Sequence, residues 1–316
     1  MNTLVPNTIH TGWLSRPVSL CRRAFLGLLM AIGVMLAGAS SSASNERGKL
    51  TLETFDLTAR NGVTYRIFLA SPGNAAASLP VVYFLDGNAT FPVARDVLAE
   101  NSDMQAVLVG IGYPTDDKAE IIRLRYTDLT PPTPAELIPT REGATAPQTG
   151  GRDAFLAFII DELKPEIERR RNVDTSHQTL FGHSLGGHFA LSALFRNVGG
   201  FQTFIAADPS IWWNGRSLLQ EQSAYLNRTG ERAAARLLIE TAGVRVERPG
   251  TDKATADRLA RLRSGPGGKD VAAELRDTPG LHVAYRGFPD ESHGSLIAPS
   301  VRDALDFALR NRDPIP

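Results

Sequence analysis

The 316-residue sequence holds one cysteine, Cys21. A chain with a single thiol close to its start forms no internal disulfide, so a packed core has to hold the fold together unaided. Charge of one sign is also missing: 34 Lys and Arg face 34 Asp and Glu, which argues against nucleic acid as the main partner. No internal repeat and no long low-complexity tract occurs, and that excludes solenoids and arrays. The apolar run from Phe25 to Ala37 is shorter than the about 20 apolar residues of a transmembrane helix.

What does stand at the N-terminus reads as an address. Arg22-Arg23 precede that run, which ends in small residues through Ala43. This is the layout of a twin-arginine export signal, with a peptidase site at Ala37-Gly38-Ala39 or Ser41-Ser42-Ala43. Residues 1–43 are therefore set apart from the fold. Residues 44–316 are expected to form one domain, exported by the twin-arginine machinery and periplasmic or secreted. The alternative is an uncleaved N-terminal anchor.

Short apolar strands alternate with helical stretches along the rest of the chain. Leu50 to Leu57 and Val63 to Leu69 flank Asn61-Gly62, a hairpin signal. Leu79 to Leu85 and Gln105 to Ile111 are continuous apolar runs, as expected of strands buried on both faces, with a helix over Val93 to Leu98 between them. Residues 112–150 carry five prolines between Pro131 and Pro147 and show no sustained period, so they read as a lid or substrate loop. Phe155, Ile159, Leu163 and Ile167 then recur at helical spacing, with Pro165 interrupting. Strands follow at Thr179 to Phe181, Thr203 to Ala207, Arg236 to Thr241 and Leu281 to Phe288, and Ile297 to Leu309 is the final helix. The order predicts an α/β fold with a mostly parallel central sheet and helices on both faces.

Gly182-His183-Ser184-Leu185-Gly186 sits between a strand and a helix. A G-x-S-x-G at that junction is the pattern of a nucleophile elbow. The corner residue, Ser184, projects above the sheet as nucleophile, and Gly182 and Gly186 keep Cβ atoms out of a crowded turn. The N–H of Leu185, at a helix N-terminus, points to where an oxyanion would form. A hydroxyl nucleophile needs a base. His293, in the turn-rich Pro289 to Ser295 segment after the last strand, stands where the order Ser, acid, His puts it. His183 and His188, which flank the nucleophile, read as packing residues or as supports behind the site rather than as the base. For the acid, Glu247 is the first carboxylate after the strand Arg236 to Thr241. Asp208, Asp252 and Asp257 are alternatives, and so is a dyad without an acid. Gly87 and Asn88, after the third strand, are candidates for the second oxyanion donor. No cofactor or metal is required by these groups.

Asp86-Gly87-Asn88-Ala89, Arg125-x-x-Asp128-x-Thr130-Pro131, the Ser184 elbow, Asp208-Pro209-Ser210-Ile211-Trp212-Trp213-Asn214 and Glu291-Ser292-His293-Gly294-Ser295 occur in that order. Through them the chain resembles, over residues 50 to 310, the α/β-hydrolase esterase family that includes the ferric-siderophore trilactone esterases and, more distantly, esterase D. The resemblance implies the α/β-hydrolase fold and a serine esterase with Ser184 as nucleophile and His293 as base. It further implies that Arg125 meets an anionic catecholate substrate and that Trp212 and Trp213 shape the site. The alternative for Arg125 is a structural salt bridge with Asp128. One departure is the run Gly243-Val244-Arg245-Val246-Glu247, where family members often carry Gly-Glu-x-Glu. The expected substrate is thus a small-molecule ester, foremost a ferric siderophore trilactone. A general acyl or aromatic-acid esterase and a non-catalytic binding protein of the same fold are the competing readings.

Overall fold

The computed structural model describes residues 50–73, 77–140, 145–196, 198–229, 233–246 and 253–310. The expected export signal, Glu247 and Asp252 lie outside the described residues. Eight strands, β1 (Leu50–Thr58), β2 (Thr64–Pro72), β3 (Leu79–Phe84), β4 (Val107–Gly112), β5 (Val173–His183), β6 (Thr203–Ala207), β7 (Ala235–Val244) and β8 (Leu281–Ser292), form one sheet. Its order is β1-β2-β4-β3-β5-β6-β7-β8. The hairpin signal at Asn61-Gly62 is answered by antiparallel pairing of β1 with β2, and β2 also runs antiparallel to β4. All later pairings are parallel.

Every residue of β3, β4 and β6 is buried, because side chains alternate between two covered faces. Val81 and Tyr83 join one core and Val82 and Phe84 the other. Helices α1 (Gly87–Glu100) and α9 (Ile297–Leu309) cover the second core, while α3 (Arg152–Phe158), α5 (Leu185–Phe195) and α8 (Gly268–Leu275) contribute to the first. The predicted stripe Phe155, Ile159, Leu163 and Ile167 is buried. It runs on from α3 through a π-helical turn, Ile159–Leu163, into α4 (Lys164–Arg170). Pro165 lies at the start of α4, where the wider turn accommodates its missing N–H.

Three elements depart from expectation. Asp86-Gly87-Asn88, after the third strand, opens α1, which begins well before Val93 and carries Pro92 inside it. The lid segment contains a helix, α2 (Lys118–Leu129), capped by the Asp117 side chain accepting from Ala119 N at 2.9 Å. Asp117 followed three residues later by Glu120 is a helix-start signature that the proline-rich surroundings mask. The paired tryptophans lead into α6 (Trp213–Leu226), whose first turn is left-handed at Asn214, Gly215 and Arg216. One further helix, α7 (Lys253–Arg263), lies in the polar stretch before α8.

Candidate active site

The loops after β3, β5, β6 and β8 meet at the carboxyl ends of the parallel strands, where open α/β sheets present their sites. Ser184 occupies the sharp corner between β5 and α5 with φ 62° and ψ −116°. For a side-chain-bearing residue this is a strained conformation, and the surroundings hold it. Ser184 N donates to Ala207 O at 2.9 Å, and Ser184 O accepts from His188 N and Ser210 N, both at 3.0 Å. A Cβ on Gly182 would lie 2.1 Å from Gly186 O, so glycine is obligatory there. Gly186 differs from expectation: its Cβ would meet nothing closer than 3.5 Å, whereas Gly187 would press on Pro209 at 3.1 Å.

His293 sits in the turn after β8. Its Nε2 is 3.0 Å from Ser184 Oγ and its Nδ1 2.5 Å from Asp208 Oδ2. An ionised carboxylate only accepts, so Nδ1 carries the proton and donates to Asp208. Nε2 is then the acceptor for the Ser184 hydroxyl. Burial alone would raise the Asp208 carboxyl, but the hydrogen bond and charge of His293, helped by Ala242 N–H and His183, hold it below the usual carboxylate value. The carboxylate on His293 is therefore Asp208, one strand earlier than the expected acid Glu247. Both ring nitrogens of His293 are thus engaged by described residues. Asp208 reaches it because its backbone turns left-handed, φ 39°, while its N–H stays fixed to Glu240 O at 2.8 Å.

Gly87 and Asn88 form the first turn of α1 opposite Leu185 at the first turn of α5, so two helix N-termini converge beside Ser184. A Cβ on Gly87 would lie 2.7 Å from the backbone of Gly110 and Ile111. Asn88 spends its side chain on Tyr113, accepting from its N–H at 2.8 Å and donating to its carbonyl at 3.0 Å. What these residues offer an oxyanion is therefore backbone N–H.

Arg125 does not pair with Asp128. It donates from Nε and Nη2 to the two carboxylate oxygens of Asp86, both at 2.8 Å. Asp128 instead accepts from Tyr113 Oη at 3.2 Å, and burial pushes its carboxyl up to about 6. Trp213 is fully buried and donates from Nε1 to Thr133 Oγ1 at 3.1 Å, within the 112–150 segment. Trp212 is half-buried, with the Arg263 guanidinium 5.4 Å from its ring.

Sequence reasoning passed over one neighbour. The Ser210 hydroxyl lies 3.4 Å from Ser184 Oγ and is buried; the Asp208-Pro209-Ser210 run was the available signal. His183, expected to pack or to support the site from behind, has its ring centroid 4.5 Å from that of His293. Burial, with the charge of His293, pushes His183 down to about 4, so it stays neutral beside the base. Among the described residues no group of three or more His, Cys, Asp or Glu side chains could hold a metal ion, and no helix is long and apolar enough to cross a membrane.

The family model described as "Putative esterase" matches residues 61–241, a span that holds the oxyanion loop, Arg125, Ser184 and Asp208. The chain belongs to this esterase family. The esterase is 32% identical over 263 residues to the ferri-bacillibactin esterase BesA of Bacillus subtilis, covering 79% of this chain and 86% of the relative. It is 31% identical over 265 residues to the siderophore enterobactin esterase of Emericella nidulans, covering 78% and 87%. Its fold matches the siderophore hydrolase EstA of Aspergillus nidulans with TM-score 0.70 and 28% identity, covering 90% of this chain and 99% of that one. The predicted α/β-hydrolase architecture and the predicted esterase family both stand. As a member of that family, the protein is a carboxylic ester hydrolase.

Proposed function

We propose that this protein is an exported serine esterase that opens the ester bonds of a siderophore trilactone through an acyl-enzyme on Ser184. What supports the chemistry is the continuous chain Ser184 Oγ, His293 Nε2, His293 Nδ1, Asp208 Oδ2, at 3.0 and 2.5 Å. As Ser184 Oγ attacks the ester carbon, its proton passes to His293 Nε2, and Asp208 stabilises the imidazolium that forms. The carbonyl oxygen becomes an oxyanion facing the N–H groups of Leu185, Gly87 and Asn88. Collapse breaks the bond to the leaving oxygen, which takes the proton from His293. Water, deprotonated by His293, then attacks the acyl carbon, and Ser184 Oγ leaves with that proton.

What supports the substrate is that relatives aligned over nearly four-fifths of the chain are named as siderophore esterases. Trp212 and the segment around α2 form the substrate wall in this reading. Residues 1–43 send the chain through the twin-arginine machinery, so the enzyme meets the iron complex in the periplasm or outside the cell.

The test is hydrolysis of a ferric catecholate trilactone by the purified protein beside a neutral nitrophenyl ester, with Ser184→Ala as blank. The expected result is a kcat/KM at least about tenfold higher for the trilactone, a margin of about 1.4 kcal/mol, and no turnover by Ser184→Ala above the rate in buffer alone. Hydrolysis of the neutral ester alone would leave a general carboxylesterase. Undiminished turnover by Ser184→Ala would overturn the mechanism.

A further inference from the structure

Asp86 stands at a position where a carboxylate is electrostatically out of place. It immediately precedes Gly87 and Asn88, and a Cβ at Gly186, in the first turn of α5, would come 3.5 Å from its Oδ2. It therefore lies between the two helix N-termini assigned to the oxyanion. Negative charge fixed beside a forming oxyanion raises the barrier that those N–H groups lower. Asp86 occupies the N-cap of α1, where its carbonyl accepts from Ala89 N and Thr90 N, but its backbone is left-handed (φ 55°, ψ 44°) and its side chain makes no capping bond.

Its carboxylate is directed instead at Arg125 on α2, 39 positions along the chain, which grips both oxygens at 2.8 Å. The two side chains are 15% and 18% exposed. Burial would pull the guanidinium down, but the charge and hydrogen bonds of Asp86 outweigh it and hold Arg125 above its usual value. A bidentate pair of this kind fixes orientation as well as distance. Two further constraints pin the same loop: Gly87 packs against the β4 backbone, and Asn88 clamps Tyr113.

We infer that Arg125 is a positioning residue, which acts through Asp86 to hold the Gly87–Asn88 amides in place and to cancel the carboxylate charge beside the oxyanion. The inference rests on the assignment of Ser184 and the oxyanion loop, and not on the siderophore. It also ties the lid helix to the catalytic floor, since the brace is the contact between α2 and the loop after β3.

The test uses the full chain, a neutral nitrophenyl ester and an anionic nitrophenyl ester, with Arg125→Gln, Asp86→Asn and the double variant. Arg125→Gln leaves the carboxylate unpaired and is expected to lower kcat about 100-fold on both esters, with KM changed less than threefold, the size of effect that a misplaced or lost oxyanion donor produces. Asp86→Asn is expected to cost about tenfold, within the same range. The double variant, with no charge left beside the oxyanion, is expected to exceed Arg125→Gln by about fivefold or more, a recovery of about 1 kcal/mol. Arg125→Lys keeps the charge without the fork and should fall between wild type and Arg125→Gln. A loss confined to the anionic ester and expressed in KM would assign Arg125 to the substrate and overturn the inference. A double variant no better than Arg125→Gln would overturn the charge-cancelling role. Parent activity on the neutral ester, abolished in Ser184→Ala, tests the underlying assignment separately.

Discussion

At the scale of single residues, the proposed triad turns on one left-handed aspartate. Asp208 has φ 39°, a conformation that Asp tolerates better than most residues, and it brings a carboxylate to His293 from the strand next to the nucleophile. Asp208→Asn keeps the shape but presents a group that no longer selects the Nδ1–H tautomer. It is expected to lower kcat by about a thousandfold or more, as tautomer loss does in a serine triad, with KM nearly unchanged in steady-state hydrolysis of a nitrophenyl ester. A larger loss from Glu247→Gln than from Asp208→Asn would return the acid to the strand after. The sequence favoured Glu247 because chain order alone cannot say how tightly the turn after β6 curls. Ser184 and His293 were legible because a strand-turn-helix junction and a terminal loop histidine are local signals.

At the scale of elements, the elbow is a steric object. A methyl on Gly182 would sit 2.1 Å from Gly186 O, a backbone atom that cannot swing aside, whereas a methyl on Gly186 reaches only ordinary contacts. Gly182→Ala is expected to destabilise the fold by about 1–3 kcal/mol, as overpacking does, and to abolish hydrolysis. Gly186→Ala is expected to stay within about 1 kcal/mol of wild type. Urea denaturation of both variants checks the contrast, and equal losses would contradict it. Elements with a continuous apolar run, such as β3 and β6, or with one apolar face, such as α9, were readable. The helix α2 was not, since of its twelve residues only Asp128 and Leu129 are buried. A helix that packs Ile121, Leu124 and Tyr126 only partly against the core and is otherwise held by its cap and by Arg125 shows little periodicity to read.

At the scale of the whole molecule, the core holds ionisable groups in their neutral forms, and these set how stability responds to pH. Burial pushes His188, aided by the Arg152 charge, down to about 3, and both of its ring nitrogens lack a hydrogen-bond partner among the described residues. Glu240 lies in β7 with neither carboxylate oxygen bonded among the described residues, and burial, partly offset by Arg286, pushes it up to about 8. The signs are opposite. For His188 the unfolded chain binds the extra proton below about 6.5, so its contribution to stability is lost as pH falls from there toward 3. For Glu240 the folded chain holds the extra proton, so its contribution is complete below about 4.5 and is lost as pH rises through 8. His183, down to about 4, adds to the acid loss, and Asp128, up to about 6, loses its contribution as pH rises from about 4 to 6, where it offsets the rise from the two histidines. Between about pH 4.5 and 6.5 the two slopes nearly cancel, so stability should be flat there and fall on either side. Unfolding free energies from urea titrations at pH 4 to 9 are expected to drop by about 2 kcal/mol between pH 6.5 and 8 in the wild type. Glu240→Gln has no carboxyl to titrate and should flatten that drop while leaving the acid side alone. His188→Leu should do the reverse, improving stability below pH 4.5 without touching the alkaline limb. An alkaline drop that persists in Glu240→Gln would mean that Glu240 is ionised in the folded chain and that its charge is met by Arg286.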